Sequence, residues 1–147
     1  MAVIVAVAAG TSEPGPGSLA LSDVAEGVST AEVRGTSMFL VRDGDEVRAF
    51  SPDARHMAGE VVWWCPSAQV FVEYNHGSVF DGDGRKIAGP SIGALNTFDV
   101  VVADGRVVVD VERVTVGELN PRGSWPTGVD LHGAPLTFCE DKVVPLP

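Results

Sequence analysis

Cysteines, basic residues and long hydrophobic runs are all scarce in this chain, and each shortage excludes a class of protein. The two cysteines, Cys65 and Cys139, lie far apart and form no Cys-x-x-Cys pair, which excludes a zinc ribbon and a multi-disulfide framework. The pattern favours free buried thiols, with a single disulfide between them left open. The net charge of −10 argues against a nucleic-acid-binding protein and against binding to anionic lipid.

The apolar run near the N-terminus, from Val3 to Val7, is much shorter than the ~20 residues that a membrane-spanning helix needs. It also lacks the positively charged start of a signal peptide. We interpret it as a β-strand that pairs into the sheet or packs against a partner. The alternative is the remnant of a longer membrane anchor, so the localisation stays open.

The remaining pattern predicts an all-β protein. The chain of 147 residues fits one domain with a core of its own. No stretch keeps a helical period, and turn signals recur about every eight to twelve residues, which is typical of a β-sandwich or barrel. Asp-Gly turns predict two hairpins, one at Asp43-Gly44-Asp45 and one at Ala103-Asp104-Gly105.

Changes in composition divide the chain into three segments. Residues 1–18 form an apolar N-terminal segment followed by a Pro/Gly-rich linker, and residues 19–112 form the β domain. Residues 113–147 form a C-terminal extension with short apolar pieces between turn residues. We interpret its last part, Val129 to Pro147, as an extended tail packed over the sheet, and the alternative is a partner-binding arm.

The stretch from Ser51 to Pro90 contains two histidines in loop-like surroundings. His56 lies in the segment Ser-Pro-Asp-Ala-Arg-His-Met-Ala-Gly, and His76 lies in Glu-Tyr-Asn-His-Gly-Ser-Val-Phe-Asp. The stretch closes with Gly89-Pro90. A first histidine loop, a second loop that reads His-Gly-Ser-x-Phe-Asp and a closing Gly-Pro together resemble the Rieske iron–sulfur domain.

This resemblance covers roughly residues 19 to 112. It implies a Rieske-like antiparallel β-sandwich or barrel whose two-loop tip carries His56 and His76. The segments outside it would then be extended N- and C-terminal arms. In this family the two loops bring the two histidines together at the tip of the domain.

The resemblance also implies a [2Fe–2S] cluster, which the family holds with two thiolates and two imidazoles from Cys-x-His and Cys-x-x-His loops. The corresponding thiolate positions here are Ala54 and Glu73. Ala54 has no donor atom, and Glu73 has only hard oxygens where the iron needs a soft anionic donor. Gly59 and Asn75 stand where some members carry a disulfide between the loops, and Cys65 lies in an aromatic strand rather than in either loop. The sequence therefore predicts that the cluster is absent and that no cofactor replaces it.

A mononuclear metal site remains an alternative. His56, His76 and Glu73 make a set of two histidines and one carboxylate, which suits mononuclear iron or zinc. The alternative is that both histidines bond to backbone or solvent while Glu73 is exposed at a strand end.

Two further motifs have simpler interpretations. Asp81 and Asp83 alternate with glycines, but the rest of a calcium-loop pattern is missing, so we predict a hairpin turn. Trp63 and Trp64 should place one ring on each face of a strand, with one in the core and the other available to a partner.

We therefore predict a cluster-less Rieske-fold subunit with a structural or protein-binding role in a larger, redox-related assembly. The alternative is an electron-transfer protein with a [2Fe–2S] or mononuclear metal centre at His56 and His76. A catalytic role has little support because no nucleophile–base set is visible. The predicted partner is a larger protein complex contacted through the termini. Membrane association would occur only through a partner or a missing N-terminal anchor.

Overall fold

The computed structural model describes residues 4–7, 17–119 and 139–146. In these ranges the protein is built almost entirely of β-strands with one short 3-10 turn, Leu21–Asp23, which confirms the all-β prediction. None of the helical structure in the described ranges is long and apolar enough to cross a membrane. The strands are β1 (Ile4–Val7), β2 (Gly17–Ala20), β3 (Gly27–Val33), β4 (Thr36–Asp43), β5 (Glu46–Phe50), β6 (Trp63–Cys65), β7 (Val70–Val72), β8 (Val79–Asp81), β9 (Lys86–Ala88), β10 (Thr97–Ala103) and β11 (Arg106–Thr115).

The described residues form two compact units, each with its own sheet. The first unit comprises residues 4–7, 17–51, 96–115 and 145–146, and the second comprises residues 52–95, 116–119 and 139–144. Both histidine loops belong to the second unit. The boundaries at residues 18 and 112 remain predictions.

The first unit contains a seven-stranded sheet in the order β1-β3-β4-β5-β10-β11-β2. All neighbouring strands are antiparallel except β1, which pairs parallel with β3. The apolar N-terminal run is thus a strand of the sheet, as predicted. The edge strands β1 and β2 approach each other, so the sheet curls toward a closed barrel. Gly17 permits this closure, because a Cβ atom there would lie 2.1 Å from the Val33 side chain.

The curled sheet encloses one apolar core. Alternate side chains along its strands point inward and are removed from water, which is the main driving force for folding. Both predicted hairpins are present, and Asp104 and Gly105 adopt the positive φ angles that a tight two-residue turn needs. The core residues are Leu19, Val24, Ala31, Val33, Met38, Leu40, Val47, Ala49, Phe98, Val107 and Val109.

The second unit contains a four-stranded antiparallel meander in the order β6-β7-β8-β9. Its loops carry the histidines: the first loop precedes β6, and the second joins β7 to β8. Strand β9 carried no clear sequence signal, because its three residues lie between a glycine-rich turn and Gly89-Pro90. Residues 139–144 of the C-terminal extension lie beside β6, where Val143 forms an antiparallel bridge with Trp64.

Two predicted segments fall mainly outside the described residues. They are most of the Pro/Gly-rich linker, in residues 8–16, and the greater part of the C-terminal tail, in residues 120–138. Gly17 and Ser18, which the sequence placed in the linker, belong to β2.

Candidate functional site

The first histidine loop is closed at its base by backbone pairing. Asp53 forms an antiparallel bridge with Val61, and the Ala54 N–H donates to the carbonyl of Glu60 at 3.0 Å. Arg55 has a positive φ of 55°, and its N–H donates to the Asp53 carboxylate at 2.8 Å. This turn leaves His56 exposed at the end of the loop and buries the Ala54 methyl group completely.

The second histidine loop is a tight turn around Glu73. The Glu73 N–H donates to the carbonyl of Ser78 at 2.8 Å, and the Gly77 N–H donates to the carbonyl of Glu73 at 2.9 Å. Gly77 has a φ of 82°, which glycine adopts without strain. The loop thus projects Asn75 and His76 outward from the base.

The Glu73 carboxylate lies inside this turn and accepts hydrogen bonds from its backbone. The Asn75 N–H donates to Oε1 at 2.6 Å, and the His76 N–H donates to Oε2 at 2.9 Å. Glu73 is fully buried, so the prediction of an exposed glutamate at a strand end is wrong. A buried carboxylate is stable only when it is paired or hydrogen-bonded, and here the loop itself provides the donors.

The two loops bring the two histidines together, as the resemblance implied. The ring centres of His56 and His76 are 4.9 Å apart, with the rings edge to face at 72°. Nδ1 of His76 lies 3.4 Å from Oε2 of Glu73, an interaction that is ionic when the imidazole is protonated. Nδ1 of His76 therefore faces the carboxylate of Glu73, the residue to which the resemblance assigns a thiolate position.

A second carboxylate, which no sequence motif marks, reaches the same place. Glu60 ends the first loop, and its Oε2 accepts a hydrogen bond from the Asn75 side-chain amide at 2.8 Å. One ligand atom from each of Glu60, Glu73 and His76 lies within 4.8 Å of the others. The loop pairing between Ala54 and Glu60 places this carboxylate there, and that pairing has no local sequence signature.

The cysteines are joined in a disulfide between Cys65 and Cys139, with Cα atoms 5.9 Å apart. The expectation of free thiols is therefore wrong. The sequence separation of 74 residues gave no sign of the pairing, which depends on the C-terminal segment folding back onto β6. Neither sulfur is a free thiolate, so Cys65 cannot replace the missing thiolate of a histidine loop in this form.

These donors do not fit a [2Fe–2S] cluster. At the first thiolate position, Ala54 offers a methyl group that is already packed in the protein. At the second, the Glu73 oxygens are engaged by backbone N–H groups and lie beside His76. Two imidazoles remain from the four terminal ligands that the family uses.

The closing Gly89-Pro90 packs directly against the second loop. A Cβ atom on Gly89 would lie 2.4 Å from the Ser78 Cα, so only glycine fits there. Just beyond it, the Ser91 N–H donates to the buried Ser78 hydroxyl at 3.0 Å. The Lys86 ammonium donates to the Ser91 carbonyl at 2.6 Å, and burial lowers the pKa of Lys86.

The other predicted motifs have structural roles. The Asp81 carboxylate accepts N–H groups from Asp83 and Arg85 and forms an ion pair with the Arg85 side chain, so the segment is the predicted hairpin turn between β8 and β9. Trp64 is buried, as predicted for one indole of the pair, and its ring packs on Phe71 with centres 4.7 Å apart.

The other indole, Trp63, is partly exposed and packs against Tyr74, with ring centres 4.7 Å apart. The Tyr74 hydroxyl is buried without a hydrogen-bond partner among the described residues. Burial, together with the nearby negative charge of Asp141, raises the pKa of Tyr74. An aromatic cluster therefore lies directly beside the Glu73 turn.

Comparison with known proteins finds similar solved structures. No protein-family model and no curated protein matches the chain. The chain is similar to the plasma membrane Rieske protein of the cyanobacterium Synechocystis PCC 6803, with 25% identity over 56% of this chain and 85% of that one, and a TM-score of 0.48. It is also similar to the ferredoxin of carbazole 1,9a-dioxygenase from Nocardioides aromaticivorans, with 25% identity over 65% and 96% of the two chains and a TM-score of 0.47. The terminal oxygenase of the same dioxygenase matches at 22% identity over 78% of this chain and 33% of that one, with a TM-score of 0.41.

Proposed function

We propose that this protein is a Rieske-type domain that works without an iron–sulfur cluster, as a structural or protein-binding subunit of a larger, redox-related assembly. The observation that carries the proposal is the buried Glu73 carboxylate. It stands where the resemblance implies a cluster thiolate, and it accepts the backbone N–H groups of Asn75 and His76. The chain therefore supplies an anion of its own inside the second loop.

Coordination chemistry supports the same proposal. Iron in these clusters needs anionic sulfur donors, and neutral imidazoles hold only the second iron. Neither Ala54 nor Glu73 provides sulfur, and the two cysteines are bonded to each other. The first loop is closed by backbone hydrogen bonds, in which the N–H groups of Ala54 and Val62 donate to the carbonyls of Glu60 and Pro52. The backbone of the loop therefore fixes its shape without a metal cluster.

Membership of an assembly is supported by the surface near the first loop. Met57 follows His56 directly and is 53% exposed, and Ile92, whose N–H donates to the Arg55 carbonyl, is 54% exposed. Exposed apolar side chains contribute to contact sites when they lie in one patch. Size-exclusion of native extract tests this proposal, because a chain that elutes as a lone monomer there would contradict a role as a subunit.

The cofactor is tested by iron and acid-labile sulfide analysis of protein purified from its native host. We expect neither, and we expect no visible absorption from iron–sulfide charge transfer. Two irons and two sulfides per chain would instead establish the alternative, an electron-transfer protein with a [2Fe–2S] centre.

The convergence of Glu60, Glu73 and His76 favours a second candidate, a mononuclear zinc or iron centre at these three residues. We place His56 there as a fourth ligand because its ring centre lies 4.9 Å from that of His76. Glu60 is the accessible carboxylate of this group, because Glu73 is buried and already hydrogen-bonded. Calorimetric titration of the metal-free protein with Zn²⁺ tests it. Saturable binding that is lost in both His56→Ala and Glu60→Gln would support this centre, and binding that neither substitution weakens would exclude it.

A further inference from the structure

The C-terminal segment lies along the outer edge of the four-stranded sheet. Strand β6 is one of the two edge strands, and its far side would expose unpaired N–H and C=O groups without a neighbour. Residues 139–144 cover that side. The Trp64 N–H donates to the Val143 carbonyl at 3.0 Å, and the Val143 N–H donates to the Trp64 carbonyl at 2.8 Å.

Side chains add a second set of contacts on the same edge. The Ser67 hydroxyl donates to the Asp141 carboxylate at 3.1 Å, and the Lys142 ammonium lies 4.8 Å from the centre of the Trp63 ring. Ser67, Asp141 and Lys142 are all exposed, so water competes with these contacts. Within residues 139–144, Cys139 is the buried member. The disulfide to Cys65 is therefore the main anchor of the segment.

We propose that the outer edge of β6 is a strand-docking site whose occupant is the chain's own segment 139–144, and that the Cys65–Cys139 disulfide controls its occupancy. In the oxidised protein the disulfide fixes the segment on β6 and closes the edge. A dithiol reductant releases the segment by thiol–disulfide exchange, which converts the Cys65–Cys139 disulfide to two thiols while the dithiol becomes a disulfide. The free β6 edge is then available to an extended segment, since strand addition is a common mode of peptide recognition.

This proposal is independent of the histidine loops. It uses no residue of the proposed cofactor-free site, and the disulfide lies at the opposite end of β6 from the first loop in sequence. A cluster-bearing protein and a cluster-free protein would both have the disulfide and the docked segment 139–144. Failure of either proposal therefore leaves the other unaffected.

The first test is amide hydrogen exchange on the full-length chain before and after reduction with dithiothreitol. We expect exchange at the Trp64 and Val143 amides to become at least ~10-fold faster on reduction, while inner strands β7 and β8 keep their protection. A Cys65→Ser/Cys139→Ser double variant should exchange like the reduced protein and should not respond to dithiothreitol. Unchanged protection at Trp64 and Val143, with both thiols shown to be free, would overturn the proposal. An equal loss of amide protection in β7 and β8 would also overturn it, because the disulfide would then stabilise the whole four-stranded sheet.

The second test asks whether the opened edge accepts the segment in trans. The probe is a synthetic peptide of residues 137–146, which contains Cys139, offered as an activated disulfide to the full-length Cys139→Ser variant. We expect a mixed disulfide at Cys65, formed at least ~10-fold faster than with a scrambled peptide that keeps the cysteine in place. Equal rates for the two peptides would show that β6 does not select the strand and would contradict a docking site.

Discussion

The two histidine loops differ in how each fills the position where the resembled family has a thiolate. In the first loop, Ala54 places a small apolar group there and its side chain makes no polar interaction. In the second loop, Glu73 places a buried anion that accepts two backbone N–H groups and lies beside His76. The first position therefore carries no charge, whereas the second carries a carboxylate whose oxygens accept backbone N–H groups.

This difference has a physical reason in the two backbones. The first loop satisfies its own polar groups by pairing across its base, between Asp53 and Val61 and between Ala54 and Glu60. The second loop aims the N–H groups of Asn75 and His76 at its interior, and unpaired buried donors cost free energy. In the first loop the exposed Asp53 carboxylate accepts the Arg55 N–H, whereas in the second loop the buried Glu73 carboxylate accepts two N–H groups.

The largest change should come from restoring both sulfur donors. The double variant Ala54→Cys/Glu73→Cys recreates a set of two thiolates and two imidazoles on loops that already bring the histidine rings to 4.9 Å. We expect reconstitution with iron and sulfide to yield a coloured protein with two irons per chain. Either single variant should bind far less, and a colourless double variant would show that the positions do not correspond.

The next largest effect concerns the internal acceptor of the second loop. Glu73→Ala leaves two N–H groups without their acceptor in a buried site, so we expect a loss of about 2–4 kcal/mol in the free energy of unfolding. The matched control is Glu60→Ala, which removes a more exposed carboxylate and should cost less than about 1 kcal/mol. Urea denaturation measures both, and equal losses would contradict the special role of Glu73.

An effect of similar size distinguishes two glycines that both have positive φ. Gly89→Ala adds strain and a clash with the Ser78 backbone, since the new Cβ would lie 2.4 Å from the Ser78 Cα. We expect it to cost about 3 kcal/mol. Gly77→Ala meets no atom within 4 Å and should cost about 1 kcal/mol from backbone strain. Similar losses in thermal unfolding would show that Gly89-Pro90 does not support the second loop.

The smallest effect concerns pH. Burial, with Asp141 nearby, raises the pKa of Tyr74 above 10.0. The folded protein therefore keeps this proton at pH values where the unfolded chain has lost it, so the free energy of unfolding falls as the pH rises above about 10. Tyr74→Phe should make this fall shallower without reducing stability at pH 7, because the buried hydroxyl has no partner among the described residues. Identical slopes for the two proteins between pH 9 and pH 11 would contradict it.

Local signals in the sequence predicted much of the fold. The Asp-Gly turns identified two hairpins of the seven-stranded sheet, β4-β5 and β10-β11, and the apolar run at the N-terminus is a strand that pairs with β3. Turn chemistry and strand alternation act over a few residues, so a sequence displays them directly. Strand β6 is shorter than its apolar run, because Val61 and Val62 pair with the base of the first loop instead.

The candidate site was predictable only in part. The family resemblance implied that two loops bring His56 and His76 together, and the structure confirms it. Glu73 is buried because its carboxylate accepts backbone N–H groups of the turn. Almost every residue has such a group, so no sequence motif predicts this burial. The disulfide and the approach of Glu60 depend on contacts between distant or cross-paired segments, so neither has a local pattern.

The most direct test of the account is amide hydrogen exchange at Asn75 and His76 in protein stripped of metal by a chelator. If the Glu73 carboxylate holds the second loop, both amides will be protected in the metal-free protein, and the Glu73→Gln variant, whose neutral side chain is a weaker acceptor, will exchange faster. Added iron and sulfide will change neither. Amides that are unprotected in the metal-free protein and become protected only with iron and sulfide would contradict the claim that this loop works without a cofactor.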